Sequence, residues 1–231
     1  MTTPKVADPR GERAPVWDIG VRLFHWSLLV LVIIAWRTAE TRALSLHRLA
    51  GSGVAGLLVF RLWWGIFGSR TARFSSFLKG PRAVLAYGRQ LLSGQKGPPE
   101  TGHNPMGGWS VAALLLSLVA ITVFGLFAVD TDGLESGPLS SLVDFDTGRL
   151  ASHLHALAFD ALEILVALHL LAILFYGFVR REDLVAAMIT GKKRLPAEVA
   201  PNTPGSPFHL AIAAGLGLLV FAVIAHFSGA F

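Results

Sequence analysis

The chain has 231 residues, of which 53% are hydrophobic and 15% charged, and it contains no cysteine. Apolar residues lie in blocks between charged loops, which is the composition of an integral membrane protein, and the lack of cysteine excludes disulfides, Cys-ligated iron–sulfur clusters and haem attached through a C-x-x-C-H motif. The net charge of +5 lies in loops beside the apolar blocks, which favours anionic lipid over nucleic acid as a partner.

Five apolar stretches predict five membrane-spanning helices behind a disordered polar leader over residues 1–16. The predicted spans cover residues 17–36, 44–67, 109–129, 152–179 and 208–227. Between the second and third spans, residues 81–92 have helical apolar spacing and a proline suited to a first helical position, which predicts an amphipathic helix lying flat on the membrane surface. No small-residue cleavage site follows the first span, so we expect that span to be retained.

Lysine and arginine are distributed unevenly between the two sides of the predicted bundle. The leader with Arg22, the loop 68–108 and the loop 180–207 hold fifteen of them, whereas the other two loops and their edges hold four. Because cytoplasmic loops are enriched in basic residues, this predicts that the amino terminus faces the cytoplasm and the carboxyl terminus the opposite side of the membrane.

Four histidines lie inside the predicted spans. Fourteen residues separate His155 from His169 on the fourth span, so both project from one face about 21 Å apart along the helix axis. In the predicted orientation, His47 shares the outer level with His155, and His25 can meet His169 toward the inner level. Each pair joins two helices, which suits an iron porphyrin with an imidazole on each axial position; a zinc or di-iron site would need three or more ligands at one depth.

Glycines near His47 support this hypothesis. Gly51 follows His47 by one turn, with Gly53 and Gly56 nearby, and a missing side chain would let a flat macrocycle approach the backbone. The alternative is that these small residues only allow close helix packing.

Two arginines in the spans are candidate partners of haem propionates. Arg61 lies fourteen residues beyond His47, near the inner level, and Arg22 lies one turn before His25. The alternative for both is that the side chain reaches the cytoplasmic headgroups.

Four other histidines have weaker candidate roles. His153 is expected to face outer water or a propionate, or to replace His155 as a ligand. His103, in a cytoplasmic loop, is a candidate for a quinone site or a loop cap. His209 and His226 on the last span are expected to be bystanders.

Two acids, Asp160 and Glu163, lie between the histidines of the fourth span but away from their face. They are candidates for a proton path in quinone chemistry, with His226 as a possible partner. Otherwise they would be buried acids that are neutral or paired.

Several segments together resemble the bacterial membrane cytochromes b that include cytochrome b-561 and the cytochrome b subunits of nickel–iron hydrogenases. They are RLFHW, LHRLAG, RLWWGIFGSRTARF, GHNPMGG, HALAFDALEILVALH and DLVAAMITGKK. The resemblance implies a four-helix bundle over residues 17–194 that holds two b haems through the pairs His25/His169 and His47/His155. Residues 195–231, a linker and an extra transmembrane helix, lie outside the resemblance.

The resemblance implies a protein of the bacterial inner membrane, with its carboxyl terminus in the periplasm. The function implied is electron transfer across that membrane between the quinone pool and a periplasmic redox partner, either a cytochrome c or a hydrogenase-like protein. One alternative is a superoxide oxidase, in which His153, Arg48 and Arg149 would attract the anion. Another is a haem-bearing anchor of a larger complex, with the fifth span as a docking helix. The direction of electron flow, the haem potentials, the quinone type and the oligomeric state, including a possible homodimer, stay open.

Overall fold

The computed structural model describes residues 12–95, 100–131, 135–196 and 199–228, and long helices dominate it. Within these residues, five helices are long and apolar enough to cross a membrane. They are α1 (Ile19–Glu40), α2 (Leu44–Phe67), α5 (Pro105–Phe127), α6 (Phe145–Phe178) and α8 (Pro207–Phe227). The shorter elements are β1 (Glu12–Pro15), α3 (Phe74–Phe77), α4 (Pro81–Leu92), a 3₁₀ turn (Ser140–Leu142), α7 (Leu184–Thr190) and β2 (Lys192–Leu195). The predicted all-α membrane fold is confirmed.

Two of the spans begin at an earlier residue than hydropathy alone predicts, because a polar side chain caps the first turn of each helix. The Asn104 side chain accepts a hydrogen bond from the N–H of Gly107 at 2.8 Å, so α5 begins before residue 109. The Asp144 carboxylate accepts from the N–H of Thr147 at 2.9 Å, so α6 begins at Phe145 rather than at residue 152. Such side chains satisfy the free N–H groups of a first helical turn, which extends the helix beyond its apolar block.

Successive spans run in opposite directions, so the segments that connect them lie at one end of the bundle or at the other. One end, called here the strand side, carries β1, β2, α3, α4 and α7 together with the starts of α1, α5 and α8. The other end, called the turn side, carries the turn over residues 41–43 and the loop over residues 128–144.

A small folded unit covers the strand side. β1 and β2 pair in antiparallel fashion with Glu12 opposite Leu195, and Val16 is buried beside Ala187 of α7. The expectation of a disordered leader is therefore wrong for residues 12–16, because the backbone of this segment is hydrogen-bonded to β2. Residues 1–11 lie outside the described part of the chain.

Hydrogen bonds to Asp18 connect the start of α1 with the end of α2. Its carboxylate accepts hydrogen bonds from the N–H of Val21, from Nε1 of Trp64 at 3.1 Å and from the hydroxyl of Ser69. One side chain thus caps α1 and also fixes the neighbouring helix end.

The four helices α1, α2, α5 and α6 share an apolar core. Its buried members are Val54 and Leu58 on α2, Leu118 on α5 and Leu162 on α6. In the described chain, the backbone of α6 packs closely on α5 but not on α1 or α2. Side chains, the histidines among them, therefore bridge the space between α6 and the first two helices.

The fifth span, α8, packs against α2 through glycines. A Cβ placed on Gly56 would lie 2.5 Å from the carbonyl oxygen of Gly217, and one on Gly217 would lie 2.7 Å from that of Gly56. Gly53 similarly faces Leu31 of α1, whose side chain would be 2.8 Å from an added Cβ. For Gly53 and Gly56, the packing alternative is therefore the one that the contacts support.

Candidate functional site

Two histidines lie close together at the turn side of the bundle. His47 lies in the first turn of α2 and His155 in the third turn of α6. Their ring centroids are 6.0 Å apart and their planes are at 79° to one another. The depth argument from the sequence predicted this meeting.

Backbone carbonyls fix the orientation of both rings. Nδ1 of His47 lies 2.8 Å from the carbonyl oxygen of Ala35 on α1, and Nδ1 of His155 lies 2.8 Å from that of Ile121 on α5. A carbonyl oxygen only accepts hydrogen bonds, so Nδ1 carries the proton in each ring. Nε2 is therefore the nitrogen left free to bind a metal, and the carbonyl increases its basicity.

The spacing of this pair fits an iron held between the two rings. Metal–imidazole bonds of about 2 Å, with about 1.1 Å from each nitrogen to its ring centre, place facing centroids about 6 Å apart. The observed 6.0 Å matches this value. This spacing is compatible with a metal ion held between His47 and His155, and their role as haem ligands stays a prediction.

Gly125 of α5 makes room for His155. A Cβ at this position would lie 2.9 Å from Nδ1 and 3.0 Å from Cε1 of the histidine. The contact between ring and glycine lets Nδ1 reach the carbonyl of Ile121 one turn earlier on the same helix. Sequence reasoning missed Gly125, since a glycine within an apolar span carries no signal of this contact.

Gly51 differs from the packing glycines of α2. A Cβ added there would meet no atom within 4 Å. This open space beside the helix is compatible with the close approach of a flat cofactor, and the role of Gly51 in cofactor binding stays a prediction.

The second pair of histidines lies toward the strand side. His25 of α1 and His169 of α6 are close enough to interact electrostatically. Nδ1 of His25 is buried without a hydrogen-bond partner, and the ring makes an edge contact with Trp26 at 5.0 Å. Because α6 is unbroken from residue 145 to 178, His155 and His169 stand about 21 Å apart along one helix.

Arg61 is a buried cation near this second pair. Its side chain is 3% exposed, Nη1 has no hydrogen-bond partner, and the guanidinium lies 4.8 Å from the ring centre of Phe74. The side chain therefore does not extend to water, contrary to the headgroup alternative. A buried guanidinium with a free N–H group fits a carboxylate such as a propionate.

Arg22 has other partners in the structure. Its guanidinium donates to the carbonyl oxygens of Met188, at 3.3 Å, and of Ile189, which end α7. These bonds fix α7 to α1, and the pairing of Arg22 with a propionate stays a prediction.

His103 lies within the same region as Arg61. Its ring is 4.6 Å from that of Trp17 and 5.0 Å from that of Phe77, and its buried Nδ1 has no partner. Burial, with smaller contributions from the nearby charges of Arg61 and His169, lowers the pKa of His103 to about 3. The imidazole is therefore neutral at physiological pH and can donate or accept one hydrogen bond.

The remaining candidates are placed away from the paired histidines. His153 is exposed, and His209 stacks on Phe67 with ring centres 5.1 Å apart. Asp160 and Glu163 are exposed on α6, contrary to the alternative that they are buried acids, and their role in a proton path stays a prediction. They lie on the face of α6 that turns away from its packing partner α5, which explains their exposure.

A bundle of apolar helices that carries paired histidines at two depths is the arrangement of a membrane cytochrome b. The sequence profile of the prokaryotic cytochrome b561 family matches residues 16–191 of the chain. The chain therefore belongs to this family and is a membrane b-type cytochrome of electron transfer; proteins of the family bind b-type haem, generally two. Searches of the curated proteins and of the solved structures gave no match.

Proposed function

We propose that this protein passes electrons across a bacterial inner membrane between the quinone pool and a periplasmic redox partner. His47 and His155 would hold one b haem, and His25 and His169 the other. The observation that carries the proposal is the His47/His155 pair, whose rings stand 6.0 Å apart with both Nδ1 atoms on backbone carbonyls.

Each bound haem supplies a one-electron couple between ferric and ferrous iron. The chain contributes position and charge: α6 sets the two depths, and the carbonyls of Ala35 and Ile121 hold the imidazoles of one level. Arg61 offers a buried positive charge at the other level, which favours an anionic group there. These features support a fixed pair of redox centres on opposite halves of the membrane.

The proposal includes a quinone site on the strand side, where His103 lies. Its neutral imidazole and free buried Nδ1, with Arg61 and His169 close enough to interact with it, support a site for a carbonyl oxygen near the inner haem. In the proposed orientation this side faces the cytoplasm, so protons for quinone reduction would come from there.

The test is purification in detergent, followed by haem quantitation and a redox titration. Wild-type protein is expected to contain two haems with separable potentials. Replacing His169→Ala should remove the haem of the His25/His169 level and leave most of the other. Equal loss of both haems would contradict two independent levels.

The superoxide oxidase alternative gains little from the structure. Arg48 is paired with Glu135 at 2.7 Å, and Arg149 donates to the carbonyl oxygen of Val129 at 3.1 Å, so two of the three cations have partners. Stopped-flow haem reduction by superoxide, followed by quinone reduction without a partner protein, would favour that alternative over the electron-conduit function.

A further inference from the structure

Helix α4 lies at the level where two spans reach the strand side. Trp109, in the first turns of α5, donates from Nε1 to the carbonyl oxygen of Lys79 at 2.8 Å. The hydroxyl groups of Tyr87 on α4 and Tyr176 near the end of α6 are 2.7 Å apart. Because tryptophan and tyrosine prefer the membrane–water interface, these contacts place α4 at the depth of the lipid headgroups.

One face of α4 is apolar and uncovered. Leu85 is 64% exposed and Leu92 is 90% exposed, and their spacing of seven residues puts both on one row of the helix. The face that meets the bundle contains Tyr87, which is half-buried and lies about 200° around the helix from Leu85. Gly88, where an added Cβ would lie 4.0 Å from the sulfur of Met106 on α5, borders the row of the leucines. The exposed leucines therefore point away from the protein.

Two arginines run beside these leucines. Arg82 and Arg89 are also seven residues apart, on the next row of α4, and both are exposed. Within the described part of the chain, the ion pairs are those of Arg37, Arg48 and Lys193, so neither arginine of α4 has an acidic partner. Leucines flanked by cations at this depth are the pattern of an interfacial helix.

We propose that the outer face of α4, formed by Leu85, Leu92, Arg82 and Arg89, binds anionic phospholipid of the leaflet on the strand side. The leucines enter the acyl-chain boundary while the guanidinium groups pair with headgroup phosphates. Phospholipid is the occupant because it supplies both chemistries at once, whereas a free phosphate leaves the leucines in water.

This binding would stabilise the end of α6. Tyr176 also accepts a hydrogen bond from the Asn104 amide at 2.8 Å, so α4, α5 and α6 meet at one hydroxyl. Tyr176 follows His169 by seven residues and lies on the same face two turns nearer the strand side. Lipid held by α4 therefore restrains the helix that carries His169, whichever partner exchanges electrons with the protein.

The absence of cysteine from the chain allows a direct test with single nitroxide labels. Leu92→Cys reports on the proposed lipid face, and Ala83→Cys, at an exposed position on the opposite side of α4, is the matched control. The labelled holoprotein is placed in phosphatidylcholine nanodiscs with increasing phosphatidylglycerol. We expect the label at position 92 to become accessible to oxygen and shielded from a water-soluble nickel chelate as phosphatidylglycerol rises, while position 83 stays accessible to the chelate.

The charge requirement is tested by the double variant Arg82→Gln/Arg89→Gln. Each basic residue at an anionic surface contributes about a fivefold preference, so this variant should favour the immersed state about 25-fold less than the wild type at the phosphatidylglycerol fraction that half-immerses the wild type. Arg82→Lys/Arg89→Lys should stay near the wild type. The control Lys192→Gln/Arg194→Gln removes the same charge from exposed positions of β2 and should not shift the titration.

Three results would overturn the proposal. One is equal exposure of positions 83 and 92 to the nickel chelate at high phosphatidylglycerol. Another is an equal shift in the α4 and β2 double variants, which would reduce the effect to net charge. The third is shielding of position 92 by glycerol phosphate in detergent without lipid, which would indicate a phosphate site. Haem content, measured in every sample, shows that the variants are folded and reports on the proposed function separately.

Discussion

Replacing Gly125→Ala should disturb the His47/His155 level selectively. The added Cβ would lie 2.9 Å from Nδ1 of His155, whereas van der Waals contact needs about 3.4 Å or more. Either the ring moves by about 0.5 Å or α5 moves away from α6, and both changes lengthen the 2.8 Å hydrogen bond to the carbonyl of Ile121. A hydrogen bond of this kind contributes about 1 kcal/mol, which corresponds to about 40 mV for a one-electron couple.

Loss of this hydrogen bond makes His155 a weaker electron donor to ferric iron, so the potential of its haem should rise by about 40 mV, with partial loss of that haem. Potentiometric titration with haem quantitation measures both effects. Gly177→Ala on α6 is the matched control, because a Cβ there meets no atom within 4 Å, and it should leave both potentials unchanged. If Gly125→Ala keeps both haems at wild-type potentials, Gly125 does not position His155.

Two further substitutions address the strand-side level. Arg61→Met removes a cation that is 3% exposed, so the haem of the His25/His169 level should fall in potential by about 50 mV, with Arg61→Lys closer to the wild type. An unchanged potential in Arg61→Met would show that no haem lies near this guanidinium. His103 has a pKa of about 3 in the folded protein against about 6.5 when unfolded, so the unfolded state binds the extra proton between these values and stability falls as pH drops below 6.5. Between pH 7 and pH 5, the free energy of unfolding should change with pH less steeply in His103→Gln than in the wild type, by up to about 1.4 kcal/mol per pH unit. Chemical unfolding at each pH measures this, and parallel curves for variant and wild type would contradict the burial of a neutral imidazole.

The spans could be predicted because hydropathy in long blocks is a local signal. α2 begins at Leu44 and ends at Phe67, as the sequence indicates, and α4 covers residues 81–92, also as predicted. β1 and β2 could not be predicted in this way. Their pairing joins Glu12 to Leu195 across most of the chain, and the segment KKRL has no alternation of apolar and polar residues.

The meeting of His47 and His155 was predictable because helical periodicity and the alternation of spans fix depth and face. The contacts that hold the two rings in place could not be predicted from the sequence. Any residue can supply the carbonyl that Ala35 and Ile121 provide, and Gly125 acts only through the distance between α5 and α6. Contacts that depend on helix separation need coordinates, since residue type does not encode them.

The two imidazoles of the turn side are hydrogen-bonded to main-chain carbonyls of α1 and α5, so their orientation does not depend on the side chains at those positions. Exchange of Ala35 or Ile121 for another residue that preserves the helix leaves the accepting oxygen in place. Alanine scanning would therefore overlook both anchors. Only an edit of the peptide group itself, such as an amide-to-ester replacement, would alter them chemically.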